Sequence, residues 1–178
     1  YNGQFVYFDQ PTPGAENSQT SKVQLPVFSH TRGYCNSPFE VTLSTPDAHT
    51  QIYYTTNGIR PTPQKGTLYA GPIRIETTTP LSAVAVKNGV VSSVVSHTYF
   101  FTDSILKQDN HPEGYPAEWG AFETIPGIAP ADYEMDPDIC NDPAYKASLV
   151  NAFQDLPSVS IVTDPGNLFS HSTDPETG

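Results

Sequence analysis

The sequence predicts an all-β fold: an immunoglobulin- or fibronectin-III-like sandwich of about seven short strands, followed by an irregular acidic C-terminal extension containing one short helix. Three observations lead there. The 178 residues include 18 prolines and 12 glycines, the punctuation of a turn-rich domain. Ten tyrosines and nine phenylalanines, with many threonines and valines, favour strands over helices. Short alternating apolar runs recur between turn residues at sandwich spacing.

Residues 1–17 read as one strand, with the run Phe5, Val6, Tyr7 and Phe8, leaving through a stiff turn around Pro11 and Pro13. This reading makes them the terminal strand of a preceding domain, and the chain a piece of a longer protein. That run is too apolar to face water, so these four residues are candidates for strand addition to a neighbouring domain or subunit. Residues 18–22 are small and polar, as in a linker.

Residues 23–103 form the predicted sandwich. Residues 25–29 come first, and Phe39, Val41 and Leu43 then alternate onto one face. Residues 51–56 form a strand ending at Asn57-Gly58, and residues 73–75 alternate again. Residues 81–87 and 90–101 flank Asn88-Gly89, the dipeptide of a two-residue type I′ hairpin. A β-barrel is the alternative architecture.

Residues 104–178 change texture. Residues 110–130 are proline-rich and read as coil. Asp142-Pro143 supplies an N-cap and a first-turn proline for a helix bearing Tyr145, Leu149, Val150 and Phe153 on one face. Residues 158–162 read as a buried strand, and the extension is expected to pack back along the sandwich.

The stretch Ile52-Tyr53-Tyr54-Thr55-Thr56-Asn57-Gly58-Ile59-Arg60-Pro61-Thr62, with Tyr69, Pro72 and Ile73, resembles the fibronectin-III-like chitobiase or β-hexosaminidase C-terminal-type domain over about residues 23–102. Asn57 stands where that family commonly has Asp. Tyr7-Phe8-Asp9-Gln10-Pro11 resembles the closing strand of a lamin-tail-type domain, and Ala131-Asp132-Tyr133-Glu134-Met135-Asp136-Pro137 the beginning of a CotH kinase-like domain. The resemblance implies a non-catalytic module of a multidomain bacterial surface protein, extracellular or at the cell surface.

Net charge is −11, and its distribution is uneven. Residues 1–103 carry six basic and six acidic side chains, whereas 104–178 carry two and thirteen. Such a surface repels phosphate backbones, so nucleic acid is a poor partner, and no apolar run is long enough for membrane insertion by a helix. Asp132, Glu134, Asp136, Asp138 and Asp142 have the oxygen density that Ca²⁺ prefers; the alternative is a solvated acidic loop whose last carboxylate caps the helix. No other cofactor is implied.

Cys35 and Cys140 are too far apart for a redox or zinc motif and suggest one long-range disulfide, with two free thiols as the alternative. Tyr53, Tyr54, Tyr115 and Trp119 are candidates for stacking on sugar rings, against the alternative that they pin their own segments. No catalytic residue is assigned: there is no GxSxG elbow, no phosphate loop and no HExxH. The function expected is that of a spacer or assembly module; a carbohydrate-binding module and an accessory segment of a kinase-like protein are its rivals.

Overall fold

The structure, a computed structural model, describes residues 23–122 and 125–169. Residues 4–8, with the proposed strand-addition run, and the linker 18–22 lie outside them. The described chain is rich in short strands with a few short helices, and it forms a β-sandwich.

The larger sheet is built from β2 (Gly33–Tyr34), β5 (Gln51–Thr55), β6 (Thr67–Leu68), β8 (Thr79–Lys87) and β10 (Val95–Phe100), in the order β2-β10-β8-β5-β6. β2 runs parallel to β10, and the other neighbours along that path are antiparallel. β9 (Val90–Val91) returns on β8 through Asn88 and Gly89, whose φ values of 50° and 80° are those the two-residue hairpin requires.

The opposing layer pairs β1 (Val27–Phe28) with β4 (Leu43–Ser44), and β3 (Phe39–Val41) with β7 (Ile73–Ile75). In the latter pair Glu40 stands opposite Arg74 on the solvent side, leaving Val41, Ile73 and Ile75 to face inward. Between the layers, these three pack with Leu43, Ile52, Leu81, Ala83, Tyr99 and Phe101. Tyr99 is fully buried; its hydroxyl donates to the His30 carbonyl at 3.0 Å, and His97 Nδ1 reaches the same oxygen at 3.0 Å.

Beyond the sandwich the elements differ from those the sequence pattern predicts. The single helix expected is two: α3 (Pro143–Lys146), capped by the Asp142 carboxylate on Ala144 N at 2.8 Å, and α4 (Leu149–Asp155). Before them lie α1 (Thr102–Leu106) and α2 (Pro137–Asn141), the latter capped by Asp136. The proline-rich coil instead holds a hairpin, β11 (Glu118–Phe122) with β12 (Ile125–Pro130). Proline is tolerated there because each strand has a partner on one side only within this sheet. A last short helix, α5 (Gly166–Phe169), ends the described chain.

The expected disulfide is absent: Cys35 and Cys140 are free thiols. Cys35, just past β2, turns its Sγ toward the Gly33 carbonyl at 3.6 Å and packs on the core, whereas Cys140 lies on α2. Each thiol belongs to its own segment.

Candidate functional site

Residues 158–162 are not a buried strand. They form an extended strap without ladder pairing, laid across the outer face of the larger sheet. Its serines, not its apolar residues, meet the sheet. Ser158 Oγ meets Tyr34 Oη at 2.8 Å and Ser160 Oγ meets Thr98 Oγ1 at 2.7 Å, while Val159 and Ile161 point away, 85% and 77% exposed. Serines turn inward because the surface beneath is polar: on β10, Ser96 and Thr98 face outward where Tyr99 faces the core.

Burial along β8 records the cover. Leu81 to Ala85 are buried without interruption, although alternation places only Leu81, Ala83 and Ala85 toward the opposing layer. Ser82 and Val84, on the other face, are buried as well, as in a strand buried on both faces, and Ser82 shares a cavity wall with Val162 of the strap. Farther along, the strap crosses the turn after β5, where the Thr163 main chain passes so close to Gly58 that a Cβ there would sit 2.8 Å from the Thr163 oxygen.

That turn explains the sequence motif. Asn57 Oδ1 accepts from Ile59 N at 3.2 Å, and Thr55 Oγ1 donates to the Ile59 carbonyl. Pro61 is fully buried, and Thr62 Oγ1 accepts from Lys65 N at 3.0 Å. Each of these groups fixes backbone.

Two cavities flank the strap. One, about 720 Å³, lies between it and β2 and β10; the other, about 530 Å³, lies between it and the Gly58 turn. They share Ser96 and Val162 as walls, so they run together along one groove. Tyr34 and Phe100 line the first, their rings 5.4 Å apart.

The other candidates are dispersed. Tyr54 packs on the core beside Tyr69, whereas Tyr53 sits on the opposite face with its hydroxyl 3.4 Å from Gln51. Tyr115 and Trp119, each 47% exposed, flank Tyr133 with ring centroids at 5.5 and 6.0 Å, a cluster formed within the extension and apart from the strand tyrosines. Asp132, Asp136 and Asp142 turn back onto backbone N–H groups of Glu134, Asp138 and Ala144. Among the described residues no three His, Cys, Asp or Glu side chains are grouped to hold a metal ion.

Burial holds the His97 ring below the usual histidine range; the bond to the His30 carbonyl opposes this and the nearby Arg32 charge adds to it. Burial, reinforced by Cys35, pushes the Tyr99 phenol up to about 12, and burial also raises the Cys35 thiol. All three lie at the sheet edge around β2 and β10 and report packing there.

Fold and groove together define a β-sandwich module with a strapped outer sheet. Residues 30–98 of the chain match the family model of the chitobiase/beta-hexosaminidase C-terminal domain. No curated protein matches the chain. Among the described residues no helix is long and apolar enough to cross a membrane.

Proposed function

We propose that this chain is a non-catalytic structural module of a secreted or surface protein, whose work is to hold the polypeptide that follows it in a fixed position. The observation that carries this reading is the strap: the extension returns across the sandwich and is fastened at Tyr34, Thr98 and Gly58. The antiparallel β10-β8-β5-β6 sheet, facing the antiparallel pairs β1·β4 and β3·β7 across one core, supports an immunoglobulin-like arrangement of the sandwich. The family matched over residues 30–98 is one of non-catalytic accessory domains, which is compatible with a structural role. The flanking segments are then the end of a lamin-tail-type domain and the start of a CotH-like one, as their sequences resemble.

The lone tryptophan, Trp119, lies in the extension and provides the test. If the module holds the extension, Trp119 fluorescence and far-ultraviolet dichroism, which follows the sheets, trace one coincident denaturation curve. An earlier fluorescence transition means that the extension is independent and the reading fails. So does turnover of ATP or of chito-oligosaccharides by the purified chain.

A further inference from the structure

The groove beneath the strap gathers cations that the rest of the molecule leaves unneutralised. Acidic side chains outnumber basic ones by 19 to 8, so a carboxylate partner is abundant for any lysine or arginine. Arg74, Lys87 and Lys107 have one, in Glu76, Asp47 and Asp103. Among the described residues Arg32, Arg60, Lys65 and Lys146 do not, and three of these four line the groove: Arg32 at one end, Arg60 and Lys65 at the other.

Between those ends the walls are hydroxyls. Ser96, Thr98, Ser158 and Ser160 lie along the cavities, and each hydroxyl offers one donor and two acceptor positions, so the mutual bonds across the strap leave capacity unused. The Tyr34 and Phe100 rings add an apolar surface of the kind that stacks on a pyranose face. Asp164 also lines the far end, where its Oδ1 accepts from Gly166 N at 3.0 Å and it forms no ion pair with Arg60 or Lys65, so one carboxylate stands among two cations there.

From this we infer that the strapped groove binds an anionic oligosaccharide, its hydroxyls meeting the serines and threonines and its carboxylates meeting Arg32 at one end and Arg60 with Lys65 at the other. Neutral sugars satisfy the hydroxyls and leave the cations unpaired. Acidic peptides satisfy the cations and leave the hydroxyl row and rings unused. The site lies beyond the structural role proposed above and does not depend on it, since a spacer needs no ligand.

Affinity electrophoresis and calorimetry on the full chain with oligogalacturonate test it. Binding is expected, weakening as salt rises, and falling about tenfold in each of Arg32→Gln and the double variant Arg60→Gln/Lys65→Gln, the scale of one lost charge-assisted hydrogen bond. Lys146→Gln, on α3, removes an equally unpaired charge that does not line the groove and is expected to leave binding unchanged. All these side chains are exposed, so thermal midpoints are expected to match the parent and to separate lost binding from lost folding. Absence of binding to oligogalacturonate overturns the inference. Equal affinity for the fully methyl-esterified oligomer or for poly-glutamate overturns it too, as does an equal loss in Lys146→Gln.

Discussion

Gly58 and Gly89 each follow an asparagine and adopt nearly the same backbone, with φ of 81° and 80°. Alanine at either position carries the same left-handed penalty, about 1–2 kcal/mol. Their surroundings differ. A Cβ at Gly89 meets nothing within 4 Å, whereas at Gly58 it lies 2.8 Å from the Thr163 main-chain oxygen. A backbone oxygen cannot rotate away as a side chain would, so the strap must lift. Its two hydroxyl pairs are neutral hydrogen bonds of about 0.5–1.5 kcal/mol each, which sets the extra loss in Gly58→Ala at about 1–3 kcal/mol beyond that in Gly89→Ala. Urea denaturation of both full-length variants measures the difference. Limited thermolysin digestion, cutting before Val159 or Ile161, reports the strap itself and is expected to accelerate in Gly58→Ala alone. Equal destabilisation with equal cleavage rates would refute the idea that the turn and strap bear on one another.

Other consequences are open to direct measurement. Ile75→Ala empties a fully enclosed site between the layers and is expected to cost about 2–5 kcal/mol in denaturant titration, a loss under 1 kcal/mol counting against the assigned core. Because the folded state depresses the His97 pKa below the model-peptide value of 6.5, the unfolded chain binds the proton more readily. Stability is therefore whole above pH 6.5 and declines as pH falls below it; the His97→Gln variant, which keeps a donor for the His30 carbonyl, is expected to show a flatter profile. Intact-mass analysis after alkylation without reductant is expected to show both thiols modified, with Cys35 reacting more slowly in the native chain than in urea, since burial raises its pKa. A native mass lower by two hydrogen atoms, with neither cysteine alkylated, would restore the disulfide.

The parts of the fold legible in the sequence are those where a local rule and the tertiary environment agree. Phe39, Val41, Ile73 and Ile75 alternate because one face meets the core, and Asn88-Gly89 sits where two positive φ angles are needed. The strap was legible only in its period. Residues 158–162 alternate serine with valine and isoleucine, and a pattern states which residues share a face without stating which face is covered. The inward face was chosen by Tyr34 and Thr98, which are distant in sequence and polar. The thiols show the same limit, since an even count of cysteines carries no information about separation. The cations of the groove carried no local signal: Arg32 and Arg60 gain meaning only because the strap brings their two loops along one channel. The break between α3 and α4 was missed because none of the apolar residues Tyr145, Leu149, Val150 and Phe153 is fully buried, so little packing holds a continuous helix together.

The strap also fixes an order of events. Its fastenings join residues 124 and 62 positions apart in the chain, Tyr34 with Ser158 and Thr98 with Ser160. The Thr98 hydroxyl is placed by the antiparallel pairing of β10 with β8, but the Tyr34 hydroxyl is not in place until β2 has found β10, a parallel pairing that itself closes a loop of more than 60 residues. Because loop-closure entropy grows with separation, contacts this distant are expected to form after the antiparallel neighbours β5, β8 and β10 have paired. During synthesis the extension emerges after the strands it covers. Docking of the covering segment is therefore coupled to completion of the sheet beneath it, because the hydroxyls that fasten it at Tyr34 and Thr98 belong to strands that must first be paired.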